Sequence, residues 1–192
     1  MSLSPLHRLV QSRLASRPPS IITDPEINQA AVAVVLGDQP DAMLIIRRAD
    51  REGDPWSGHM GLPGGRRASI DPDLLATAIR ETREEVGLVL DPALLLGQLD
   101  DVAPRTRTRS LILARPFVFA VAGGPALVPN NEVSGAFWVP LARLQDPANY
   151  RETTRMIAGV TRTFPAYHTG DGTIWGMTER VVTSILDIIA GQ

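Results

Sequence analysis

Glu81, Glu84 and Glu85 stand at i, i+3 and i+4 within the segment Arg80-Glu81-Thr82-Arg83-Glu84-Glu85. On an α-helix those positions share one face within a single turn. Like charges so placed repel by roughly a few tenths of a kcal/mol per pair. A helix with only a structural task gains by putting lysines there instead. A hard divalent cation reverses the sign, because Mg²⁺ prefers oxygen ligands and keeps several of its waters. Taken alone, the three glutamates read equally as a solvated face partly neutralised by Arg80 and Arg83. The loop just upstream, Leu62-Pro63-Gly64-Gly65, shifts the balance. Its glycines are either a tight turn or a backbone left bare for a ligand, and a Gly-Gly turn joined to an acidic helix face is uncommon by chance.

The elements that must position these residues are readable from pattern. A helix is expected from about Pro72 to Val86, with Asp71 as N-cap, Pro72 in the first turn and Gly87 as C-cap. Leu75, Ile79, Thr82 and Val86 define its expected buried face, opposite the glutamates. The apolar run Ala30–Leu36 reads as a buried strand and Met43–Ile46 as the strand returning from the turn at 37–41. Residues 49–65 read as a functional loop or an irregular hairpin. Strands are expected near 94–103, 110–121 and 136–139, with a turn of helix near 141–144 and an ambiguous segment at 150–168. An amphipathic helix is expected at 4–16, on Leu6, Leu9, Val10 and Leu14, and another at about 175–190, on Val181, Val182, Ile185, Leu186 and Ile189. Helices at the start, middle and end with strands between them imply one domain, 1–192, built as an α/β/α sandwich around a mixed β-sheet.

Composition narrows the classes. With 44% hydrophobic residues over 192 positions the chain is a globular domain. A net charge of −2 gives no global reason to bind nucleic acid, so an anionic substrate must be held by local cations or metals. The absence of cysteine excludes disulfides, thiolate metal sites and cysteine nucleophiles. No run of 18 apolar residues and no secretory segment is seen, so no membrane span is expected and the cytoplasm is the expected location. The apolar faces of the two terminal helices fit either a homodimer or the core of a monomer.

The stretch from Gly65 to Leu88 resembles the Nudix box, G-x5-E-x7-R-E-U-x-E-E-x-G-U, where U is aliphatic. Gly65, Arg80, Glu81, Glu84, Glu85, Gly87 and Leu88 match. Asp71 stands where Glu is usual, eight residues rather than seven separate it from Arg80, and Thr82 replaces the aliphatic. The resemblance implies a Mg²⁺- or Mn²⁺-dependent hydrolase of a pyrophosphate linkage. In it Glu81, Glu84 and Glu85 would hold the metal with the Gly64 carbonyl, Arg80 would brace the glutamates, and Asp71 would correspond to a supporting acid. The attacking water would lose its proton to a carboxylate, either Glu84 or Glu81 in the box or Glu132 in Pro129-Asn130-Asn131-Glu132-Val133. Glu132 reads equally as a solvated loop acid.

Two flanks resemble the coenzyme A diphosphatase branch of that family: Pro63-Gly64-Gly65 with the longer box, and Ile174-Trp175-Gly176-Met177-Thr178-Glu179-Arg180. Core packing is the simpler role for Trp175. Against the branch, Asp54 occupies a position where it typically has arginine. Arg47, Arg48 and Arg51 are nearby substitutes, and His59 lies in the same loop. The alternation Arg105, Arg107, Arg109 places three cations on one strand face or forms a solvated hairpin. The expected substrate is a nucleoside-diphosphate derivative, with coenzyme A or acyl-coenzyme A first and ADP-ribose or another dinucleotide or sugar nucleotide second. A nucleotide-sensing module without turnover is the non-enzymatic alternative.

Overall fold

The apolar run at 30–36 lies at the centre of a sheet with both faces covered, which is why it does not alternate with polar residues. The computed structural model describes residues 2–24, 28–53, 56–104, 112–157 and 159–192. Its elements in order are α1 (Pro5–Ala15), β1 (Asn28–Gly37), β2 (Ala42–Arg48), β3 (Met60–Gly61), β4 (Gly64–Arg66) and α2 (Leu74–Val86). After these come β5 (Leu95–Gln98), β6 (Ile112–Val121), β7 (Val133–Pro140), α3 (Leu141–Gln145), β8 (Tyr150–Ile157), β9 (Val160–His168), β10 (Thr173–Trp175) and α4 (Gly176–Ala190). The first seven strands form one mixed sheet and β8–β10 a second, antiparallel one.

Period-two alternation on β1 divides the core. Val34 and Leu36 face the cluster that holds Val10 and Leu14 of α1 and Val181, Val182 and Ile185 of α4. Ala31, Ala33 and Val35 face the cluster that holds Leu74, Ala78 and Val86 of α2. The sandwich expected from the sequence is therefore present, and α1 and α4 use their apolar faces on the chain's own core. Arg13 ties the two helices together by donating to the carbonyls of Ile188 and Ile189 at 2.6 Å each, in the last turn of α4, where carbonyls lack the next turn's N–H groups.

The feature that builds the site is a splay between β1 and β2. They pair only at Leu36–Met43 and Gly37–Ala42. Farther along, β4 takes the edge of β1 and β3 takes the edge of β2. The carbonyl of Pro63 reaches into the gap and accepts the Ala33 N–H at 2.8 Å. Part of the 49–65 loop is thus stitched into the sheet.

Several expectations are corrected. The N-cap of α2 is Asp73, whose side chain accepts the Ala76 N–H, so the helix begins at Leu74 and both Asp71 and Pro72 precede it. The helix is also rotated: Leu74, Thr77, Ala78, Thr82, Glu85 and Val86 are buried, while Leu75 and Ile79 are only half-buried. On α1, His7 is buried where Leu9 was expected, its Nε2 meeting the Leu36 carbonyl at 3.0 Å. The strand near 94–103 ends at Gln98 and continues only as a single bridge from Val102 to Ala114. The ambiguous 150–168 segment is the β8–β9 hairpin, paired in unbroken register from Tyr150–Tyr167 to Ile157–Val160.

Candidate active site

The rotation of α2 decides the character of its three glutamates. Glu85 is a core position by periodicity and is 4% exposed. Its Oε2 accepts the Gly64 N–H at 2.9 Å across the splay. The side chain of Glu81 is 16% exposed and that of Glu84 54%. The acidic face is therefore a gradient from core to solvent rather than a solvated stripe. Gly64 and Gly65 make this packing possible. Gly64 has φ of 154°, and a Cβ there would lie 2.2 Å from the Ala31 carbonyl oxygen. A Cβ on Gly65 would lie 2.6 Å from the Glu81 carboxylate.

Arg80 is the centre of the charge network. Its Nε and Nη2 donate to Oδ1 and Oδ2 of Asp71, both at 2.9 Å. Its Nη1 meets Glu81 Oε1 and Glu84 Oε2, both at 2.8 Å. Asp71 is buried and also accepts the Ala68 N–H and the Thr77 hydroxyl, each at 2.9 Å. The Arg80 hydrogen bonds hold the Asp71 carboxyl well below its ordinary range, against the opposing effect of burial. Asp71 and Thr77 thus fix the guanidinium that spans the two glutamates.

Burial raises the Glu81 carboxyl above its ordinary value, with Arg80 opposing and Glu84 and Glu132 adding to the rise. Burial likewise pushes the Glu85 carboxyl up to about 7, against the Gly64 N–H and Arg48, with Glu81 and Glu132 contributing. These mutual effects place Glu132 in the same electrostatic neighbourhood as the helix. Its loop is fastened to the end of α2, where the N–H groups of Val128 and Asn130 donate to the carbonyls of Val86 and Glu85, both at 2.9 Å. Asn130 Oδ1 in turn accepts the Glu132 N–H at 2.8 Å.

The other sequence candidates separate. Arg51 pairs with Glu132 at 3.1 Å. Arg48 is close enough to act on Glu85. Arg47 bonds the Asp171 carbonyl and lies 5.3 Å over the Phe137 ring, so it ties β2 to the turn before β10. His59 packs on Trp175 at 4.8 Å between ring centroids and on Trp56 at 5.5 Å. Arg105, Arg107, Arg109 and Asp54 lie outside the described residues. Sequence reading missed Thr77, the Val128–Asn130 fastening and the aromatic cluster. Only the last left a signal, in the tryptophan and histidine of Trp56-Ser57-Gly58-His59.

Among the described residues no three carboxylate or imidazole side chains close on a common point as they stand, because Arg80 holds Glu81 and Glu84 while Gly64 holds Glu85. The donor set nonetheless fits a hard divalent cation. It is all oxygen, carries more negative charge than Arg80 can balance, and sits where Gly65 leaves space beside Glu81.

A splayed mixed sheet between helices carries this acidic helix at its opening, and comparison identifies the class of protein. Residues 27–158 match the NUDIX domain family model, and the chain belongs to the Nudix family. It is 33% identical over 156 residues to a human protein named mitochondrial coenzyme A diphosphatase NUDT8, covering 78% of this chain and 63% of that one. It is 42% identical over 110 residues to an uncharacterized Schizosaccharomyces pombe protein, covering 55% and 33%. The chain thus spans less than two thirds of either relative. Among solved structures, a MutT/nudix family protein from Enterococcus faecalis superposes with a TM-score of 0.63 at 15% identity, over 100% of this chain and 76% of that one. The NUDIX domain of Shewanella oneidensis NrtR, solved with ADP ribose, superposes at 0.51 with 25% identity, over 69% and 84%.

Proposed function

We propose that the protein is a metal-dependent pyrophosphohydrolase that cleaves the diphosphate of a nucleoside-diphosphate derivative, with coenzyme A or its acyl esters as substrate. One observation carries the reading: three carboxylates crowd one guanidinium on α2, with a fourth, Glu85, pinned inside the splay. Glu81, Glu84, Glu85 and the Gly64 carbonyl would hold Mg²⁺ or Mn²⁺. The ion supplies neutralisation of the diphosphate oxygens and a more acidic water. The chain supplies the rest. Arg80 and Asp71 orient the glutamates. Water forms the new bond to phosphorus, the bridging oxygen leaves with the electron pair of the broken bond, and a carboxylate takes the water's proton. Glu84, the most exposed of the three, is our first choice for that role, with Glu81 next and Glu132 as the alternative on a separate element.

Coenzyme A is supported by the human and mouse relatives, both named coenzyme A diphosphatases. A second reading, ADP-ribose as substrate or as a sensed ligand, is favoured by the NrtR domain solved with ADP ribose. A panel of coenzyme A, ADP-ribose, NADH, diadenosine polyphosphates and nucleoside triphosphates, each with Mg²⁺ and Mn²⁺, separates the two. Release of 3′,5′-ADP and phosphopantetheine is expected, and inactivity on coenzyme A would reject that substrate. No turnover of any member would leave the sensing module. A cytoplasmic setting belongs to the same proposal and is tested by fractionation. No described helix is long and apolar enough to cross a membrane.

A further inference from the structure

The β8–β9 hairpin carries a charge pattern that the acidic site does not use. Arg155 and Arg162 are register partners across the two strands, and residues directly opposite share a face with Cβ atoms roughly 5 Å apart. Like charges so placed are destabilising. Among the described residues neither arginine makes an ion pair; Arg155 donates only to the Thr154 carbonyl. An anion between them removes the repulsion.

The same face is aromatic. Phe164 lies two residues from Arg162 along β9, and Trp175 pairs with Ala166 on the neighbouring strand. Arg155 sits 5.7 Å over the Trp175 ring, and Phe164 packs on that ring at 5.1 Å. Trp56 and His59 reach the cluster from the loop before Pro63, with Trp56 51% exposed. This loop also links the face to the acidic helix. The His59 carbonyl accepts the Arg48 N–H at 3.0 Å, and Arg48 acts on Glu85.

We infer that this face binds the nucleotide end of the substrate, with a phosphate monoester held between Arg155 and Arg162 and the purine ring against Trp56. Guanidinium forks match phosphate oxygens, and an exposed indole offers a stacking surface. Two arginines suit one phosphate group rather than a polyanion track, and the net charge of −2 disfavours the latter. The inference rests on the proposed function for its substrate but is tested without turnover.

Calorimetric titration of the wild-type protein with 3′,5′-ADP and with 5′-AMP isolates the extra phosphate, since neither ligand contains an anhydride to cleave. The expected result is roughly tenfold or more tighter binding of 3′,5′-ADP, as for hydrogen bonds to charged groups. In the R155Q/R162Q double variant that difference vanishes, 5′-AMP binding is unchanged, and the melting temperature is equal or higher because the like-charge pair is gone. Trp56→Ala weakens both ligands alike. Equal binding of the two ligands by the wild type, or discrimination surviving in the double variant, overturns the inference. So does binding of a single-stranded oligonucleotide that the double variant loses, which would assign the face to nucleic acid. Failure of coenzyme A hydrolysis, with this binding pattern intact, removes the proposed substrate and leaves the nucleotide subsite standing.

Discussion

Two arginine–carboxylate networks in this molecule use the same chemistry in different proportions. On β6, Arg115 donates from Nε and Nη2 to the two oxygens of Asp101, both at 2.8 Å, and Asp101 also accepts the Ile22 N–H at 2.8 Å. The Asp101 side chain is fully buried, and one acid meets one base with its bonds satisfied. On α2, one guanidinium faces Asp71, Glu81 and Glu84. The first network is electrically complete and ties the segment before β1 to the sheet. The second sets one guanidinium against three carboxylates and so holds an excess of negative charge among the described residues. Residue types do not separate a structural pair from a site; the ratio of charges does.

Breaking each network should therefore give opposite outcomes. The largest effect is expected for Glu84→Gln. Loss of a carboxylate from the α2 crowd should lower kcat for Mg²⁺-dependent hydrolysis by roughly a hundredfold or more, since metal assistance contributes several kcal/mol. The melting temperature should stay level or rise. Near wild-type turnover in a normally folded variant would erase the distinction between the networks. Asp101→Asn should do the reverse. Breaking a buried pair from one side costs about 3–5 kcal/mol, so chemical denaturation should show a large loss while kcat per folded molecule is preserved.

A subtler contrast is in the sign of the pH response. The Glu85 carboxyl titrates near 7 in the fold and near 4.5 when unfolded. Between those values the folded state keeps a proton that the unfolded state has lost, so stability declines as pH rises through that window. Asp71 runs the other way: its carboxyl is depressed in the fold, and its contribution is complete above the ordinary carboxylate range and fades only as pH falls below it. Melting curves in EDTA from about pH 5 to about pH 8 should drift downward, become shallower in Glu85→Gln with the raised Glu81 carboxyl left to act, and recover at the alkaline end when Mg²⁺ is added. An upward drift would overturn the burial-driven shift of Glu85. The smallest effect belongs to Asp73→Ala, which removes the true cap of α2. It should cost about 1 kcal/mol with KM unchanged.

The acidic helix and the sandwich were legible because each is written in short-range periodicity. Its exact facing was not. Leu75 and Ile79 look like core in a helical projection, but Leu74 and Ala78 point inward because the helix must deliver Glu85 to Gly64. Asp71, the cap expected from the sequence, instead commits its carboxylate to Arg80, Ala68 and Thr77, partners that local pattern does not reveal, and Asp73 caps the helix. The splay of β1 and β2 depends on pairing with residues some 30 positions distant, which local pattern does not record. The β8–β9 hairpin hid for a different reason. Its strands are largely exposed, with Thr153 the one buried residue of β8, so no apolar alternation marks them.

The stitch made by Pro63 and Gly64 also has a consequence for how the chain can vary in length. Residues 60–66 are held at both edges of the splay, so an inserted residue there shifts the sheet register and the Glu85 anchor together. The exposed arm at 50–53, ahead of the stitch, is in no strand. Surface segments of this kind accept extra residues at a small entropic cost. Relatives that differ in substrate should therefore differ in the reach of that arm while keeping the 60–66 segment at fixed length.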